Sequence, residues 1–290
     1  MPTSSPSSGR SGQWFLGIAV LVALGVGAYF LPWRTEPEPF LAPLPPRVEA
    51  PTIAPSTEPP PTVHHPIEEA RGTTEALVPS PLPSVDKSDP VVQHALVDLL
   101  GRERVLSLLA PNEYVRRFVA TVDNLARREA AARLWPVLPI GGRLAVEETA
   151  DGLVLAPKNA QRYERFVNLV ESIDTGRAIA LYVQLYPLCQ RAYQELGFPE
   201  KYFNDRLVGV IDHLLATSDV VAPVTLVPPD VQGPYKPARP WVMYRFADPD
   251  LESRSAGQKM LIRMGPENAR RLKAKLVEIR ALLLGTAPRQ

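Results

Sequence analysis

The sequence predicts a mainly α fold: a multi-helix domain with small antiparallel β elements, preceded by a transmembrane helix and a disordered proline-rich linker. Three observations carry this. A stretch without charge runs from Gln13 to Trp33, and the segment after it holds nearly half of the chain's 33 prolines. Beyond that, apolar residues recur at helical spacing, with one hairpin and two further short stretches that read as strands. The implied division is a cytoplasmic tail at 1–12, a transmembrane helix at 13–33, a linker at 34–89, a helical globular domain at 90–285 and a tail at 286–290.

The apolar segment WFLGIAVLVALGVGAYFLPW offers about 18 to 20 residues, enough at a 1.5 Å rise to cross a hydrocarbon core of roughly 30 Å. Trp14 and Phe15 at one border, and Tyr29, Phe30 and Trp33 at the other, suit the two headgroup layers, where a ring is half wet. Membrane contact is expected from Trp14 to Leu31. Gly25-Val26-Gly27 has the small residues of a signal-peptide cleavage site. Only Arg10 precedes the stretch, however, and the stretch runs on past that point, which favours an uncleaved anchor. Arg10 before it and Arg34 and Arg47 after it barely set orientation; the short leading tail and large following domain favour a head outside the cytoplasm. Ala19, Ala23 and Gly27 form a small-residue ladder through which two anchors can self-associate.

From 34 to 89 the runs EPEPF, APLPP, APTIAPSTEPPPT and PSPLP bury too little apolar area to offset ordering, so an extended, polyproline-biased spacer is expected. Its coil span is roughly 40 Å, with an upper limit of roughly 180 Å at full extension. His64-His65 lies within it and lacks the further ligands a metal site needs.

Asp89-Pro90 opens the domain as a capping carboxylate followed by proline. Val92, Leu96, Leu99 and Leu100 then recur to Gly101, and a short helix follows through Leu109. Next, NEYVRRFVATVDNLARREAA carries the stripe Tyr114, Phe118, Val122 and Leu125. Trp135 to Pro139 must leave the helix. A hairpin is predicted with Leu144, Val146, Leu153 and Leu155 inward and Ala150-Asp151-Gly152 as its turn. A helix from Pro157 to Ser172 precedes the longest one, Asp174 to Leu196. That helix is apolar nearly all round, with Arg177, Gln184 and Arg191 as its wet stripe and a bend at Pro187, and it is the expected centre of the fold. Tyr202–Thr217 is an amphipathic helix. Pro223–Val227 and Trp241–Phe246 read as strands, and helices at Asp250–Met264 and Pro266–Leu284 finish the domain.

Three blocks, YVRRFVATVDNL from Tyr114, YFNDRLVGVIDHLLAT from Tyr202, and the run from Tyr244 to Leu284, resemble the domain-of-unknown-function family numbered 3014. The resemblance covers Val91 to Leu284 and implies a bacterial envelope protein. It supplies no activity and no catalytic residues. With the anchor, it implies a single-pass inner-membrane protein whose domain lies in the periplasm.

The candidate catalytic residues are Asp205, Asp212 and His213, two carboxylates and an imidazole on an otherwise apolar helix, a set suited to acid–base chemistry. Against this, Asp205 and Asp212 lie about 10 Å apart along the axis, too far to share one ion, and His213 points about 100° from Asp212. The favoured reading is structural: Asp205 caps or pairs near the helix start, and Asp212 and His213 make hydrogen bonds. Ser255 lacks local context for activation and no G-x-S-x-G occurs. Gly257-Gln258-Lys259 lacks the first glycine and the hydroxyl residue of a phosphate loop. Cys189 is the sole cysteine, which excludes an internal disulfide, and it reads as an inert core thiol. No cofactor or metal site is expected.

Two basic sets stand out in a chain of net charge +1: Arg116, Arg117, Arg127, Arg128 and Arg133, and Arg254, Lys259, Arg263, Arg270, Arg271, Lys273 and Lys275. They read first as solvated helix faces and second as attractors for anionic headgroups or wall polymers. Nucleic acid is not expected as a partner. The resulting expectation is a tethered binding or scaffolding module for an envelope protein or anionic wall polymer. An envelope hydrolase or transferase with a site near Asp205, Asp212 and His213 is the alternative.

Overall fold

The structure, a computed structural model, describes residues 62–71, 81–150, 152–220, 223–230 and 240–286. The expected tail, the anchor at 13–33 and most of the linker lie outside the described residues. Among the described residues no helix is long and apolar enough to cross a membrane. These residues form ten helices: α1 (Ile67–Arg71), α2 (Asp89–Leu100), α3 (Arg102–Leu108), α4 (Tyr114–Leu125), α5 (Gln161–Ser172), α6 (Thr175–Glu195), α7 (Phe203–Leu215), α8 (Pro249–Ser253), α9 (Ala256–Arg263) and α10 (Pro266–Leu283). Two antiparallel pairs accompany them, β1 (Val146–Thr149) with β2 (Gly152–Leu155) and β3 (Leu226–Val227) with β4 (Arg245–Phe246).

Helix α6 is central, packing against α1, α2, α4, α7 and α10. Asp174 starts it by accepting the Arg177 amide at 2.8 Å, satisfying one of the donors every helix start leaves open. Gly197, at φ 111°, follows its end in a conformation that side chains with a Cβ avoid. Ile179, Leu181, Tyr182 and Leu185 are buried along it, whereas Pro187 is exposed. The helix continues through Pro187, where the ring removes the donor for the Val183 carbonyl. The exposed ring leaves the loss on a wet side.

Several local readings need correction. Asp89 does not cap its own helix. Its carboxylate crosses to α4, accepting the amides of Glu113 at 2.7 Å and Tyr114 at 3.1 Å, while Ser88 holds the cap position of α2. Glu113 takes a left-handed φ of 52° there. The predicted helix 250–264 is two, broken at Arg254–Ser255, because Ser255 starts α9 with a capping box. The hairpin follows its prediction, with Leu144 buried and Val146, Leu153 and Leu155 half-buried against a small apolar cluster, while Val154 is buried as well. Strands expected at 223–227 and 241–246 shrink to two residues each, because residues 240–243 form a 3-10 turn. A bridge between Val154 and Thr225 links the two pairs over a small apolar cluster of Leu144, Val224, Leu226, Phe246 and Ile262.

The segment expected to be spacer contains α1. Ile67 and Ala70 are buried against the main core, and α1 contacts α6 and α10. A five-residue helix is marginal alone. Its order here comes from packing, which composition did not signal.

Candidate functional site

Helix α7 carries all three candidate residues, and its apolar face explains how it holds them. Phe203, Leu207, Val208, Val210 and Ile211 are buried against α4, α6 and α10. The polar residues are left along the remaining faces.

The three candidates do not converge. Asp205 accepts two backbone amides of the upstream segment, His64 at 3.1 Å and His65 at 2.6 Å. Its neighbour Asn204, fully buried, donates Nδ2 to the His65 carbonyl at 2.8 Å. The Tyr182 hydroxyl fixes that amide by donating to Asn204 Oδ1 at 3.1 Å. Asp212 turns to Arg280 on α10, which donates to both its carboxylate oxygens. The pairing pushes the Arg280 guanidinium above its ordinary range. His213 Nε2 lies 2.9 Å from Ser255 Oγ. Each group thus turns to a different part of the chain.

The His213–Ser255 contact is a relationship that sequence reasoning missed, since 42 residues separate the pair. It resembles a base beside a nucleophile. Three features work against that role. Ser255 is buried, its Oγ already accepts the Gln258 amide at 3.3 Å as the helix cap, and Asp212 is turned to Arg280 instead of orienting the imidazole. Among the described residues no group of three His, Cys, Asp or Glu side chains converges to hold a metal ion. Cys189 is buried, and burial pushes its thiol up to about 12, which leaves it protonated at neutral pH.

Most of the basic residues are used within the fold. Arg116 joins Asp86 at 2.7 Å and Glu195 at 2.8 Å. Lys259 joins Glu252 at 2.9 Å, Lys273 joins Asp219 at 3.1 Å and Lys275 joins Glu278 at 2.8 Å. Arg271 hydrogen-bonds Glu171, which draws that carboxyl below its ordinary range, and Arg270 pairs with Glu267. Pairing within the fold therefore accounts for most of the second set and, in the first, for Arg116 and Arg127.

Two larger openings lie among the described residues. One, of about 390 Å³, is rimmed by Arg128, Arg245, Lys259 and Arg263, with Glu129 and Glu252 also on it and Met243 and Met260 among its apolar lining. These cations come from the turn after α4, from β4 and from one face of α9. Arg263 is buried beneath the Phe246 ring, its guanidinium carbon 4.6 Å from the centroid. Among the described residues, Arg128 and Arg245 have no carboxylate partner. Arg245 was absent from the sequence's basic sets, because nothing local on a two-residue strand marks it as part of a cluster. The other opening, about 620 Å³, lies between the ends of α4 and α6 and the start of α7, with Asp123, Arg127, Arg206, Tyr193, Phe198 and Tyr202 in its wall.

The described residues thus form a mainly helical domain with two small antiparallel sheets and with basic and aromatic recesses on its surface. The chain belongs to the family described as a protein of unknown function, DUF3014, which matches residues 114–280, more than half of its length. The match runs from the start of α4 to near the end of α10, and it bears out the resemblance read from Tyr114–Leu125, Tyr202–Thr217 and Tyr244–Leu284. No curated protein and no solved structure matched the chain.

Proposed function

We propose that this chain is a single-pass inner-membrane protein of the bacterial envelope, anchored by residues 13–33, whose periplasmic head binds an anionic wall polymer. The observation that supports the ligand class is the cavity where Arg128, Arg245, Lys259 and Arg263 meet from three separate elements. Cations gathered there cost folding energy through mutual repulsion unless an anion joins them. Two acids on the rim offset half of that charge, and Arg128 and Arg245 are the cations left for a ligand. The apolar segment and proline-rich spacer support the anchored placement.

Binding is tested with full-length protein in nanodiscs and soluble peptidoglycan fragments bearing free carboxylates. Arg128→Ala with Arg245→Ala is expected to weaken binding about tenfold or more, and added salt to weaken the native interaction. Equal affinity in the double variant rejects the site. Placement is tested by a reporter fused after Gln290, where cytoplasmic activity rejects a periplasmic head.

The contact of His213 with Ser255 favours a second reading, an envelope hydrolase or transferase. In that reading His213→Ala abolishes turnover of an ester or amide substrate while leaving anion binding intact.

A further inference from the structure

We propose that the 620 Å³ cleft between α4, α6 and α7 is the docking groove for this chain's own proline run, Glu58-Pro59-Pro60-Pro61. The structure places the start of the described chain on the cleft itself, since Thr62 and His64 form part of its wall. The chain is fixed at that point. Asp205 accepts the amides of His64 and His65, and Asn204, held by Tyr182, donates to the His65 carbonyl. This pattern reads main chain and ignores side-chain identity. It sets the course of the polypeptide, and Pro61 is the next residue upstream.

The lining suits a proline helix. Tyr193 and Phe198 stack with centroids 4.7 Å apart, and Tyr202 joins them in the wall. Aromatic walls receive proline rings, and a polyproline segment comes already ordered, so docking costs little conformational entropy. Such a segment has no internal hydrogen bonds, so its carbonyls are open to donors. Arg127, Lys201 and Arg206 line the same cleft. Asp123 occupies Arg127 and Arg206 through its carboxylate, which leaves the exposed Lys201, its ammonium 5.5 Å from the Phe198 ring centroid and without a carboxylate, to meet Glu58. At about 3.1 Å per residue the four positions from Glu58 to Thr62 extend roughly 12 Å.

Docking changes the tether. Residues 62–71 already lie on the head, so docking shortens the free part of the spacer from residues 34–61 to residues 34–57. Coil statistics give that part a reach of roughly 27 Å in place of roughly 29 Å, and its exit point moves to the far end of the cleft. The docking stands without the membrane reading; only the consequence for reach rests on it.

The test uses the full chain in nanodiscs with a photo-reactive phenylalanine at Thr57, which leaves Glu58 to Pro61 intact. Light and heavy isotope-labelled copies are mixed, and crosslinked peptides are mapped by mass spectrometry. Crosslinks within one copy to residues 123–127 or 193–206 are expected, falling at least fivefold in Lys201→Glu and in Tyr202→Ala. Crosslinks spread over the head, yields unchanged in both variants, or predominantly light–heavy pairs would each overturn the proposal. Unchanged fragment binding or an unchanged topology reporter bears only on the proposed function, so the two readings fail separately.

Discussion

Asp123 and Arg206, 83 residues apart, are joined by an ion pair of 2.9 Å in which the carboxylate is only 4% exposed. Arg206 also donates to the Asp123 carbonyl at 2.6 Å, and Arg127 approaches the same carboxylate from one turn further along. This pairing ties the end of α4 to the start of α7 and forms one wall of the larger cleft.

Removing Arg206 leaves the nearly buried Asp123 carboxylate with Arg127 as its one remaining ion-pair partner among the described residues. Arg206→Ala is therefore expected to destabilise the head by about 3 kcal/mol, less than a fully buried pair because Arg127 remains. Arg206→Ala with Asp123→Asn should recover part of that loss, since no bare carboxylate is left. Urea unfolding of the parent, the two single variants and the double variant measures both effects, and a double variant less stable than the sum of its parts contradicts the account.

Gly257 sits where α9 approaches α4 and α7. A Cβ built there would meet Leu214 Cδ2 at 2.5 Å and the Leu125 carbonyl oxygen at 3.0 Å. The leucine tip can move toward the small apolar cavity beside it, but the carbonyl belongs to a helix end and cannot. Gly257→Ala should cost about 1–3 kcal/mol by overpacking, although alanine is the better helix former. A variant as stable as the parent would show that α9 shifts freely.

Ser255 and His213 separate the structural reading from the catalytic one. As the cap of α9, Ser255→Ala should lose about 1 kcal/mol, Ser255→Asp should retain most of the stability, and both should bind anionic fragments as the parent does. Thermal unfolding gives the first result and titration the second. If Ser255→Asp is as unstable as alanine, capping is not the role of this side chain.

Alkaline pH should destabilise the fold through groups that burial holds protonated. Burial pushes Cys189 from its ordinary 9.0 to about 12 and Tyr186 from 10.0 to about 12, and moves Tyr182 in the same direction. The folded chain therefore binds these protons more tightly than the unfolded chain. Their contribution is full below about pH 9 and is lost as pH rises from there toward 12. Cys189→Ala should flatten the decline of the urea midpoint between pH 9 and 11, whatever its effect at pH 7. Superimposable slopes for the two proteins would exclude a buried thiol.

The amino-acid sequence by itself determined the helices, because burying one stripe demands a 3.6-residue repeat and capping residues mark the ends. Asp174 and Gly197 bracket α6 for that reason, and the three family blocks lie on α4, α7 and the run from β4 through α10. Ser255 was visible as a serine but not as a cap, so two helices were read as one. Only the tertiary structure decided which charges meet. Asp89 serves another helix, Arg245 joins the cations of α9, and His64 and His65 find Asp205 across 141 and 140 residues. Periodicity records a burial demand within one segment, whereas the partner of a polar group depends on how separate segments are brought together, and no local pattern encodes that.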